Sequence, residues 1–194
     1  MSDAEQRIHA FAREGDWDRA AEALIRAYGG EIFGFLLAMH RDEDDASDAF
    51  SAFSERVWKG LRSFAWESSA RSWAYVVARN ASHTQRARAS KRAARERPLG
   101  SSAIDAVAAE VRTATLSLYR TEKRSAIAEL REELPEEDRM LLVLRVDRGL
   151  AWEELARVFA DGDVDVARES ARLRKRFQLV KAKLVSLAKA RGLR

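Results

Sequence analysis

Apolar residues recur at steps of three and four along most of this 194-residue chain, and that spacing constrains the fold more than any other feature. Trp17, Ala21, Leu24, Tyr28, Ile32, Phe35 and Met39 fall on one face of a helix, and Ala46, Phe50, Phe53, Val57 and Leu61 repeat the pattern. Trp73, Val77 and Ala81 begin a third such face. Only two prolines interrupt, at 98 and 135, and Ala, Leu, Arg and Glu dominate the composition. The expected fold class is all-α, in two small helical domains joined by a linker.

Boundary residues refine the pattern. Residues 4–13 form a short helix, closed by a turn at Gly15, and Asp16 is placed to cap the next one. Gly29 and Gly30 interrupt that second helix at roughly 1 kcal/mol each, so a kink or break is expected there. Asp42, Glu43, Asp44 and Asp45 suit the positive end of the third helix. A short connection over 63–69 leads to the fourth. From Arg86 the chain turns basic (Arg88, Lys91, Arg92, Arg95, Arg97) and then meets Pro98. The linker is placed at 93–104, between domains at 1–92 and 105–194. Residues 104–134 read as one long helix or two, and a further helix over 135–147 stops at Gly149.

Charge and composition exclude several functions. There is no cysteine, hence no disulfide, thiol catalysis or cysteine zinc site. His9, His40 and His83 lack ligand spacing, and carboxylates adjacent on a helix diverge around it, so no metal, cofactor or catalytic residue is expected. The acidic start is unlike a signal peptide, and no uncharged apolar run approaches the roughly 20 residues that span a bilayer. A soluble, cytoplasmic, nucleoid-associated protein without membrane contact is expected. The net charge of +4 matters only where the positive charges cluster.

They cluster near the C-terminus. A short amphipathic helix over 152–159, a turn with Gly162, Asp163 and Asp165, and a long helix to about residue 190 make the helix-turn-helix pattern. In the long helix Val166, Ser170, Leu173, Phe177, Val180, Leu184 and Leu187 form one face, with Ser170 the small exception. Arg168, Arg172, Lys175 and Arg176 stand nearly opposite, in the half that enters the major groove in such proteins. Arginine can read a guanine edge with two hydrogen bonds, so Arg172 is the best candidate base reader, with Lys175 and Arg176 mainly on phosphates. A solvated face of a bundle helix is the plainer alternative.

A second candidate surface lies at 67–80, where Ser68, Ser69, Arg71, Trp73, Tyr75, Arg79 and Asn80 precede Arg86. Rings beside a basic track suit unpaired bases, which stack at roughly 1–3 kcal/mol each. For Trp73 a place in the core is the favoured reading, whereas Arg71, Asn80 and the serine turn favour exposure.

Two segments resemble the extracytoplasmic-function class of RNA polymerase sigma factors. The first takes in Tyr28-Gly29, Asp45-Ala-Ser-Asp48, Val57-Trp58 and the run from Trp73 to Asn80. It is similar to the domain that binds polymerase and opens the minus-ten element. The second takes in Leu134-Pro-Glu-Glu-Asp-Arg139, Leu144-Arg145 and Gly149-Leu-Ala-Trp-Glu-Glu-Leu-Ala156, followed by the basic helix, and is similar to the domain that reads the minus-thirty-five element. The resemblance implies core-polymerase contacts at Asp45, Asp48, Phe50, Arg56 and Trp58. It implies minus-ten contacts across Ser68–Arg86 at the residues just named, and minus-thirty-five contacts at Arg168, Arg172, Lys175 and Arg176. It implies the beta-prime clamp and beta flap of core polymerase, promoter DNA and an anti-sigma factor as partners, with no enzymatic activity in this chain.

Two departures stand out. The family usually carries Leu-x-Gln-Glu after the acidic pair, where this chain has Ala49, Phe50, Ser51 and Ala52. Its recognition helix often has Lys-Ser-Arg after a valine, where Val166 is followed by Ala167, Arg168 and Glu169, so a different promoter preference is expected. A helix-turn-helix regulator that never docks on polymerase shares the C-terminal pattern but leaves 73–80 unexplained.

Overall fold

The computed structural model describes residues 2–40, 42–89, 102–122, 126–160, 162 and 164–192, and every regular element among them is a helix. The chain divides into two compact units, Met1–Leu118 and Tyr119–Arg194.

In the first unit, α1 (Asp3–Arg13), α2 (Trp17–Met39), α3 (Glu43–Gly60) and α4 (Ala70–Ala89) pack on one another, and α5 (Ser102–Glu122) begins at 102. The starts of α1 to α3 follow side-chain chemistry. Ser2 Oγ accepts from Glu5 N at 3.3 Å, Asp16 from Arg19 N at 3.1 Å, and Asp42 from Asp44 N and Asp45 N at 2.8 and 3.1 Å. The acidic run at 42–45 is thus a capped, dipole-matched helix start. Phe33, Phe35, Phe50 and Phe53 are fully buried, and the Phe50 ring lies 5.0 Å from Phe33 and 5.5 Å from Phe53. Each such side chain contributes about 1.5–3 kcal/mol through burial. His40 ends α2, and its buried ring meets the Ser82 hydroxyl at 2.9 Å, tying that end to α4.

Helix α2 runs without a break through Gly29 and Gly30. A Cβ added to Gly29 would stand 3.1 Å from Val111 Cγ1, so the glycine admits α5 at close range where a kink was expected. The compact units divide at 118, beyond the expected linker. Ile104, Val107 and Ala108 are 3–4 % exposed, and residues 105–118 cluster with the first unit instead of opening the second. Of the expected linker, 93–101 lies outside the described residues, as do Lys91, Arg92, Arg95, Arg97 and Pro98; 102–104 are the first turn of α5.

The second unit holds α6 (Ala126–Glu132), α7 (Glu136–Leu142), α8 (Trp152–Phe159) and α9 (Val166–Ala190). Within the 104–134 stretch lie α5 and α6, and residues 123–125 between them fall outside the described residues. From α7 the chain passes through a π-helical turn at Val143–Asp147 and reverses at Gly149, whose φ of +67° suits glycine. Leu141, Leu144, Leu150, Leu155, Val158 and Leu173 are buried with no exposed surface or nearly none.

Candidate nucleic-acid interface

The start of α4 is built by two elements distant in sequence. Ser69 Oγ accepts from Ser72 N at 3.0 Å, as an N-cap does. The two preceding amides are taken by Glu5 of α1, which accepts from Ala70 N at 3.0 Å and Arg71 N at 2.9 Å. A buried carboxylate thus serves the first turn of a helix 65 residues away, where the helix dipole favours negative charge. Tyr28 donates its hydroxyl to Glu5 at 3.0 Å. Burial pushes that hydroxyl above its ordinary value; the Ser2 contact opposes this and the Glu5 charge adds to it.

These groups floor a cleft of about 490 Å³. Ser68, Ser69 and Arg71 line it from the α4 side, His9 from α1, and Trp66 from the connection. Trp66 has φ of +58°, a left-handed backbone that a bulky residue adopts only under constraint. Its ring meets His9 edge-on at 4.7 Å and Phe64 at 4.8 Å, and Phe64 stacks on Trp73 at 5.1 Å. Both oxygens of Glu31 hold the Arg71 guanidinium, at 2.7 Å each, and the cation lies 5.6 Å from the Tyr75 ring centroid.

Among the expected minus-ten residues, the structure brings Ser68, Ser69 and Arg71 to one cleft and sets Trp73 two rings behind it. Tyr75 is fully buried against Phe35, and Arg79 is 7 % exposed. Helix α4 turns both inward. Asn80 is exposed, with its carbonyl taken by Thr84, and Arg86 donates to the Met39 carbonyl. Arg86 lies fifteen residues beyond Arg71, about 22 Å along the helix. Sequence reasoning missed Trp66, His9 and Glu5. The signal for Trp66 was its place in the connection, where no core periodicity claims a ring.

On α3, Phe50 has no exposed surface and is core. Asp48 accepts from Gln85 at 3.2 Å and Arg56 donates to Thr84 at 2.8 Å, both on α4. Trp58 donates to Asp18 of α2 at 2.7 Å, and Asp45 is half-buried in the first turn.

In the second unit, α8 and α9 pack as a helix-turn-helix pair. Asp165 caps α9, accepting from Arg168 N at 3.0 Å. Ser170, the small member of the apolar face, is 2 % exposed and donates to the Trp152 carbonyl at 3.1 Å, which lets α9 approach the start of α8. Arg168, Arg172 and Lys175 are exposed and fall within about 60° of one another at about 100° per residue. Arg172 donates to both oxygens of Glu169 at 2.8 and 2.6 Å, and this bond holds the Glu169 carboxyl below its ordinary value. Arg176 differs from those three. It donates to Asp138 at 2.7 Å and Glu137 at 2.5 Å, fastening α9 to the first turn of α7.

Comparison with known proteins fits this geometry. Residues 24–92 match the family described as Sigma-70 region 2. These residues form a sigma-70 region 2 segment. The region 2 match spans most of α2, all of α3 and all of α4, and starts after α1, the source of Glu5 and His9. The chain is also 23 % identical over 158 residues to the RNA polymerase sigma-H factor of Pseudomonas aeruginosa, covering 79 % of this chain and 81 % of that one. An alignment of that length exceeds the first unit and so takes in part of the second as well.

Proposed function

We propose that this chain is an RNA polymerase sigma factor of the extracytoplasmic-function type, which brings core polymerase to promoters and opens them. The observation that carries the reading is the region 2 match, because it covers α3 and α4 together, the two helices on which docking and melting are placed. In this reading α3 docks on the polymerase clamp through Asp45, Asp48, Arg56 and Trp58. The cleft at the start of α4 takes an unpaired base of the minus-ten element. Extruding a base costs a few kcal/mol, which stacking on Trp66 and hydrogen bonds from Ser68 and Ser69 offset. Asn80 and Arg86 follow the strand along α4. The helix-turn-helix holds the minus-thirty-five duplex through Arg168, Arg172 and Lys175. The chemistry belongs to polymerase, and the chain works in the cytoplasm under an anti-sigma factor.

Run-off transcription with core polymerase across the source genome tests this. Defined start sites that depend on the chain are expected, and their absence on every promoter defeats the reading. Trp66→Ala should weaken open-complex formation by about 1–3 kcal/mol, read as thymine reactivity to permanganate, and leave minus-thirty-five binding unchanged. Unchanged melting removes the cleft from that role.

A further inference from the structure

Helix α5 already lies against α2 and reaches Ser51 of α3 within the free chain. Ile104, Val107, Ala108, Val111 and Thr115 form one narrow stripe of α5, and the first three are buried. Val111 sits over Gly29, where a Cβ would stand 3.1 Å from its Cγ1, and Thr115 Oγ1 comes within 3.6 Å of the equivalent position at Gly30. Two polar contacts complete the seat. Glu110 pairs with Arg26 of α2 at 3.0 Å, and Arg112 donates to Ser51 of α3 at 3.0 Å. Ser51 is on the outward side of α3, away from Ala46, Phe50, Phe53 and Val57.

We propose that α5 occupies part of the surface by which α3 docks on core polymerase, so that α5 packing and polymerase docking exclude each other. The inference rests on the docking role assigned to α3. A protein that approaches the outward face of α3 meets the Arg112 side chain of α5 at Ser51. The hold of α5 suits reversal. Its stripe consists of small and medium side chains, and the Arg26–Glu110 pair is about half and two-thirds exposed, which makes it a weak tie. Gly29 lowers the helix propensity of α2, and the close seat for Val111 of α5 gives that position a purpose.

Two variants loosen α5 from opposite sides. Val111→Asp places a charge on the stripe, and Gly29→Ala puts a methyl group where Val111 sits. Each is to be checked for retained helicity and cooperative melting, then titrated with core polymerase. About a tenfold gain in affinity over wild type is expected. Equal or weaker binding by both variants overturns the exclusion, since weaker binding would make α5 a part of the docking surface. Hydrogen exchange gives an independent reading on the unmodified chain. Amides of 104–116 should lose protection when core binds, and retained protection overturns the proposal. If neither wild type nor variants bind core, the docking role of α3 falls, and the exclusion with it. If wild type binds and the variants do not gain, only the exclusion falls.

Discussion

The Glu5 carboxylate accepts three hydrogen bonds, two from amides and one from a hydroxyl, and is 9 % exposed. Removing it leaves buried donors unpaired, at about 1–3 kcal/mol. Glu5→Ala should lower the stability of the first unit by that order in urea unfolding, and Tyr28→Phe by less. Equal effects would show that the amides at the start of α4 find other partners. Arg176 and Lys175 are adjacent yet do different work. Arg176 is a side chain held by two carboxylates, and Lys175 is an exposed cation. Lys175→Ala should reduce the salt dependence of DNA binding by about 0.9 in log–log slope and leave melting alone. Arg176→Ala should lower the melting temperature of the second unit first. The reverse pattern would return Arg176 to the phosphate-contacting set.

At the scale of elements, turns are as informative as helices. Gly149 lies in a left-handed turn between the π-helical turn and α8. Gly149→Ala should destabilise the second unit by about 1–2 kcal/mol in thermal unfolding, since a Cβ disfavours that backbone. No neighbour stands within 4 Å of the added methyl, so the loss is conformational, not steric. Most helices were legible in the sequence for the same kind of local reason. Asp16, Asp42 and Asp165 cap where capping residues should, and α8 occupies the residues that its apolar spacing indicates. What could not be read was every feature that depends on a distant partner. Gly29 reads as a helix breaker until Val111 is opposite it. Phe50 and Tyr75 read as contacts because their motif is a contact motif, while the packing of α2 against α3 and α4 turns them inward. The cleft escaped for the same reason, as its walls come from α1, the connection and α4.

At the scale of the whole molecule, the two-unit division changes where the chain can be cut. Residues 102–118 belong with the first unit, although the region 2 match ends at 92. A chain ending at 118 should therefore melt at a higher temperature than one ending at 92, because only the longer one buries Ile104, Val107 and Ala108. Identical melting would mean that α5 adds no stability. No helix among the described residues is long and apolar enough to cross a membrane, and no group of three or more potential metal ligands occurs among them.

Ser170 has a consequence for how promoter choice can change. It touches no DNA in the proposed complex, yet its size sets how closely α9 lies on α8 and hence the angle at which Arg168 and Arg172 are presented. A bulkier residue there would tilt the reading helix while every reading side chain stayed the same. Promoter preference can thus drift through a buried hydroxyl, and descendants of this chain with identical base-contacting residues need not share promoters.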